Sequence, residues 1–292
     1  MPKQISAARR TSLAGLLTAT SLALALSGCA TYDVTAPADA RAEAPEAAVK
    51  AMDARLAAVG EAKNGESPGG KTGTKGDGAA GKKGTGGDEV DCRKAKCVAL
   101  TFDAGPSENT GRLLDILKRE KVHATFFMLG ENHVDKRPAE VKRIDAEGHE
   151  LANHTWSHRI LTDIEPAEAR REMSRVQDAV RKITGKTPKL MRPPQGRTDE
   201  SVSAISKDLG LAQILWSVTA KDYRTNDSAL ITQRVLEQTE RDGIILLHDI
   251  YRGTVPAVPG ILKELKRRGY TVVTVSRLLA PATPQPGMVY RP

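Results

Sequence analysis

The sequence predicts an α/β fold, a parallel sheet closed or nearly closed into a barrel, and three observations predict it. Short apolar runs alternate with helical stretches from Val98 to Val275. Seven of the runs are strand-like in composition and are bounded by turn residues. Ionisable residues gather at the ends of several runs, where such a barrel carries its chemistry.

The first strand is Val98 to Phe102, with Asp103 at its end and Gly105-Pro106 breaking the chain at once. Asp103 on its own could equally be a turn residue. Ser107 is placed to cap a helix marked by Leu113, Leu114, Ile116, Leu117 and Val122. Residues 124–130 form the second strand, 137–147 a helix stopped by Gly148, and 150–153 a short third strand. A long amphipathic helix over 166–183 leads to a strand at 190–194, ended by prolines. A helix over 200–209, a strand at 212–218 and a helix over 229–240 follow. The strand at 243–248, a helix over 258–268 and a last strand at 271–275 complete the alternation. The Pro-rich tail after Ala280 reads as irregular, and no internal repeat is visible.

The 292 residues carry a formal net charge of +8. Residues 1–28 read as a signal peptide: Lys3, Arg9 and Arg10 precede an apolar stretch from Leu13 to Leu26, too short for a comfortable membrane span. Leu26-Ser27-Gly28-Cys29 resembles the bacterial lipobox, which implies lipidation of Cys29; an ordinary signal peptide followed by a chance Cys is the alternative. Arg9-Arg10 also hints at the twin-arginine route, although the surrounding motif is incomplete. A chain starting at Cys29 would carry 8 − 3 = +5, which suits an anionic neighbour such as a lipid headgroup or a cell-wall polymer. Residues 29–90 are rich in Ala, Pro and Glu and then in Gly, Lys, Thr and Asp, with a possible helical turn near 47–59. Such a composition cannot bury a core and reads as a flexible linker. The expected location is therefore the extracellular face of the cell membrane, as a lipoprotein, with secretion as the alternative. No basic helix or basic-aromatic array points to nucleic acid.

Cys92 and Cys97 remain once Cys29 is assigned to lipid, and an exported protein can keep them as a disulfide. The closed loop is short, so the chain-entropy gain is about 2 kcal/mol. A metal site is the rival, and it lacks a second ligand pair nearby.

At the strand ends stand Asp103, His154 with His158, Arg192 with Gly196, Asp222, and His248 with Asp249. His154 and His158, four residues apart, would share one face of a helical turn, a spacing used for zinc; two ordinary surface histidines are the alternative.

Five motifs in order resemble those of the polysaccharide deacetylases with the NodB-homology domain, carbohydrate esterase family 4. They are Thr101-Phe102-Asp103-Ala104-Gly105, His154-Thr155-Trp156-Ser157-His158, Arg192-Pro193-Pro194-Gln195-Gly196, Asp222-Tyr223, and Ile244 to His248. The resemblance covers about Val98 to Leu279. It implies a distorted (β/α)7 barrel, here a single catalytic domain over residues 91–285. It implies Asp103 as the general base, His154 and His158 as metal ligands, and His248 as the general acid. Arg192 would orient Asp103, Asp222 would tune His248, and a backbone N–H near Gln195 would help to hold the oxyanion. The metal would be Zn²⁺, or another divalent ion such as Co²⁺.

Four positions depart from the family pattern, one of them Thr219, which stands where an earlier Asp of the fourth motif is often found. Ala104 replaces an Asp that binds metal, so weaker metal binding is expected. Gln195 replaces an aromatic lining the groove, and Tyr223 replaces a Trp. The expected function is removal of N-acetyl groups from an extracellular glycan, peptidoglycan or a chitin-type oligosaccharide, by a monomer. The alternative is a barrel that binds glycan and has lost turnover because of Ala104.

Overall fold

The computed structural model describes residues 90–292. The expected signal peptide, Cys29 and the linker up to Glu89 lie outside the described residues. Among the described residues nine strands form one sheet: β1 (Cys97–Asp103), β2 (Thr125–Met128), β3 (Glu150–Asn153), β4 (Leu190–Met191), β5 (Ala212–Ile214), β6 (Val218–Thr219), β7 (Ile244–His248), β8 (Thr271–Val273) and β9 (Val289–Tyr290). Their order is β6-β7-β1-β2-β3-β4-β5-β9, with β8 beside β1. Every pairing among the described residues is parallel. The sheet is a curled, incomplete barrel, open between its edge strands β9 and β6. The helices are α1 (Thr110–Glu120), α2 (Pro138–Ala146), α3 (Pro166–Thr184), α4 (Glu200–Asp208), α5 (Ser228–Gln238), α6 (Thr254–Arg267) and α7 (Val275–Leu279).

The strand period of two sorts the site from the core. Val98, Leu100 and Phe102 of β1 pack into the cluster that also holds Leu113 and Leu117 of α1 and Ile261 and Leu265 of α6. Phe126 and Met128 of β2 and Ile245 and Leu247 of β7 join the same cluster. The alternate residues Ala99, Phe127 and Ile244 line the other face. Both faces of β1 are buried, which is why its sequence is a continuous apolar run. Asp103 falls two residues after Thr101 and four after Ala99, so the alternation places it on the Ala99 face, inside the curl.

The expected helices and strands are present, with differences, among them the unexpected helix α7 and an α6 that begins at Thr254. Helix α1 starts at Thr110 after N-cap Asn109, and Ser107 instead accepts the Asn109 N–H at 3.0 Å. The strand expected over 212–218 is two strands, β5 and β6. Arg192 takes the carbonyls of Ile214 and Leu215, at 3.0 and 3.2 Å, leaving them no strand neighbour on that side. The last expected strand, β8, pairs only with the first half of β1, because β2 occupies the second half. The Pro-rich tail is not wholly irregular: β9 pairs with Gln213 and Ile214.

Cys92 and Cys97 form a disulfide with Cα atoms 5.5 Å apart, within the usual range, and it ties down the chain entering β1.

Candidate active site

Parallel register brings the candidates together. Asp103 and His248 are direct partners across β1 and β7. Asn153, the residue before His154, pairs with Met191, the residue before Arg192. One sheet end therefore presents Asp103, His154, Arg192 and His248 from four strands.

Arg192 is fully buried, with its guanidinium 4.1 Å from the centre of the Phe127 ring. Its Nη1 donates to Asp103 Oδ1 at 2.7 Å and to Thr101 Oγ1 at 2.8 Å. Thr101 Oγ1 in turn donates to the Ile245 carbonyl. A planar fork held by four hydrogen bonds fixes the carboxylate. Burial pushes the Asp103 carboxyl above the ordinary range, and Arg192 opposes that rise.

His154 and His158 do not lie on a helix, contrary to the expectation from their spacing. Strand β3 ends at Asn153, and the next residues form an irregular loop with Thr155 and His158 at positive φ, 71° and 62°. Side chains take the place of helical hydrogen bonds. Asn153 Oδ1 accepts the Thr155 N–H, Thr155 Oγ1 accepts the His158 N–H, and Glu172 accepts from Ser157 N and Oγ. The two imidazole centroids end 4.9 Å apart. His154 Nδ1 lies 2.7 Å from the Arg192 carbonyl, which can only accept, so Nδ1 carries the proton. The free lone pair is on Nε2, 3.8 Å from Asp103 Oδ2. Burial holds both imidazoles neutral, each with a pKa of about 3.

Two neutral imidazoles, one oriented by a backbone carbonyl, are the protonation and outer-contact pattern of metal-ligating histidine. The residues thus fit a divalent cation as a partial donor set. Among the described residues no three His, Cys, Asp or Glu side chains converge on one point. Ala104 is a buried methyl with φ of 64°, at the position where the family resemblance leads one to expect a third donor.

On the other side of Asp103, His248 Nδ1 meets Asp222 Oδ1 at 2.9 Å. Asp222 Oδ2 accepts the His248 N–H at 2.8 Å and the Thr254 hydroxyl at 2.7 Å. Burial alone would depress the His248 pKa, but the Asp222 carboxylate, with a smaller contribution from Asp103, outweighs it and the net shift is upward. Asp222 in turn is pushed up by burial and held below its usual range chiefly by His248. With Nδ1 committed to Asp222, His248 presents Nε2.

Tyr223 lies beside His248, with ring centroids 6.2 Å apart, and Gln195 takes a left-handed conformation at φ of 58° in the turn after Arg192. Three contributors escaped the sequence reading. Thr101 shares the face of Asp103 at a spacing of two, a signal that was available. Thr254 and Tyr251 had none. Tyr251 packs its ring edge-on to His248 at 5.3 Å, and only the loop conformation brings it there.

The sequence model of the polysaccharide deacetylase family matches residues 91–214. The chain is 42% identical over 185 residues to PdaC, the peptidoglycan-N-acetylmuramic acid deacetylase of Bacillus subtilis, covering 63% of this chain and 38% of that one. It is 39% identical over 184 residues to PgdA, the peptidoglycan-N-acetylglucosamine deacetylase of Listeria monocytogenes, covering 63% and 39%. The chain thus spans about two-fifths of the length of these relatives. A solved T48 deacetylase with substrate superposes with a TM-score of 0.66 at 37% identity, covering 69% of this chain and 100% of that one.

Proposed function

This chain belongs to the polysaccharide deacetylase family, and from that premise we propose that it hydrolyses N-acetyl groups of an extracellular glycan, with peptidoglycan as the favoured substrate. One observation carries the reading. A buried carboxylate and a raised-pKa histidine are register partners at one strand end, each with its own fixed counter-charge.

Asp103, ionised and held by Arg192, accepts the proton of the attacking water. The water oxygen bonds to the acetyl carbon, the carbon–nitrogen bond breaks, and acetate leaves. His248, cationic beside Asp222, gives its Nε2 proton to the departing amine. His154 and His158 are the residues that would hold a divalent cation, which when bound supplies Lewis-acid activation. The turn at Gln195 supports an oxyanion contact, and Tyr223 faces the leaving sugar. The lipobox resemblance supports anchoring of the chain through Cys29 at the outer face of the membrane. The test is mass spectrometry of the saccharides released from peptidoglycan after treatment with the full chain. Free amino sugars are expected; unchanged acetylation would contradict the reading.

Two outcomes follow from the geometry. Asp222→Asn removes the charge that raises the His248 pKa, so the acid is lost at lower pH. The alkaline limb of the kcat profile then moves to lower pH, and an unmoved limb would remove His248 from the acid role. Ala104→Asp restores a carboxylate at a left-handed position, which Asp tolerates better than most residues. Zinc affinity by calorimetry rises by about tenfold or more, by analogy with the known effects of changing a site's contacts. No rise would mean that Ala104 does not face the cation.

A further inference from the structure

The loops after β6 and β7 form the wall beside His248, and their exposed charge is mostly positive. Lys221, Arg224 and Arg252 are exposed, whereas Asp222 and Asp249 in the same loops are buried; the one exposed acid there, Asp227, caps α5, its Oδ1 accepting the Ala229 and Leu230 N–H. Asp222 is committed to His248 and Thr254. Asp249 accepts from the Thr110 hydroxyl, and burial pushes it up to about 6. None of the three cations has a carboxylate partner among the described residues.

The wall is also held in place. The Arg224 N–H donates to the Lys221 carbonyl at 3.0 Å, and Arg234 Nη1 donates to the Ala220 carbonyl at 3.1 Å. A Cβ on Gly253 would lie 2.8 Å from the Asn226 backbone, so the two loops pack main chain to main chain. The Arg224 guanidinium stands 5.7 Å from the centre of the Tyr223 ring, which itself borders His248. Lys221 sits in the left-handed region at φ of 49°, a conformation that costs a residue with a Cβ about 1 kcal/mol. A cationic fork is thus anchored one aromatic ring away from the group that protonates the leaving amine.

We propose that Lys221, Arg224 and Arg252 bind a carboxylate borne by the glycan next to the sugar being deacetylated. The site then prefers carboxylate-bearing N-acetylated glycans to neutral ones. Guanidinium groups match carboxylates with paired donors, and a surface cluster of net positive charge draws in anions at low salt. The turnover consequence rests on the deacetylase reading, whereas the binding consequence does not.

The test uses the full chain and two probes: a tetrasaccharide of alternating N-acetylglucosamine and N-acetylmuramic acid with free lactyl carboxylates, and the same oligomer with those carboxylates amidated. Calorimetry is expected to give about fivefold or greater tighter binding of the acid form, a preference that shrinks as salt rises. In Arg224→Gln/Arg252→Gln the preference collapses, and Arg224→Lys retains part of it. Circular dichroism checks that each variant is folded. Equal affinity for the two probes, or a preference untouched in the double variant, overturns the proposal. Acetate release is read on the same samples. Loss of the acid-over-amide ratio in kcat/KM supports the rim. Acetate from neither probe, with the binding preference intact, supports the rim and overturns the deacetylase reading.

Discussion

Asp103→Asn lowers kcat for acetate release by about two to four orders of magnitude, the range that a positioned general base contributes. The amide keeps the shape and can still accept from Arg192 Nη1, now 2.7 Å from Oδ1. It cannot take a proton from water. Glycan binding is expected to persist, because the wall at Tyr223 and the turn at Gln195 are untouched, so kcat falls and KM stays within a few-fold. A variant retaining more than a tenth of wild-type kcat would remove Asp103 from the base role. The pH profile gives a second handle: burial raises the Asp103 pKa, so the acid limb lies above the ordinary carboxylate range.

Arg192→Met is expected to destabilise the fold by about 3–5 kcal/mol, the cost of stripping one partner from a buried ion pair. Arg192 is fully buried and serves Asp103, Thr101 and the carbonyls of Ile214 and Leu215. Methionine fills much of the volume against Phe127 and serves none of them. That loss is a large part of a domain's usual stability of about 5–15 kcal/mol. Urea denaturation measures it through the shift in midpoint. Activity is lost with it, because the largest opposition to the burial that raises the Asp103 pKa is then gone. A shift under about 1 kcal/mol would mean that the guanidinium is dispensable to the barrel.

Where a residue's role follows from strand alternation, it was legible in the sequence. Asp103 ends a continuous apolar run, and His248 ends another, so both were placed at one sheet end before any coordinates. Neither their register pairing nor the Arg192 fork could be read, because each depends on strands far apart in the chain. The HxxxH spacing suggested a helix, yet Thr155 and His158 adopt positive φ and side-chain bonds replace the helical ones. Local periodicity carries no trace of such a loop. The break between β5 and β6 was hidden for a related reason: a side chain from the neighbouring strand end claims the carbonyls. Tyr251 became visible only when its loop folded back onto His248.

The most direct test is acetate release from N-acetylated peptidoglycan by the full chain, with added Zn²⁺ or Co²⁺ and then with chelator. The account predicts acetate that depends on the metal and disappears with the chelator, which would show that two imidazoles and Asp103 suffice without a carboxylate at position 104. A folded, glycan-binding protein that releases no acetate at any metal concentration would contradict it, and would mark this barrel as one that binds glycan without turning it over.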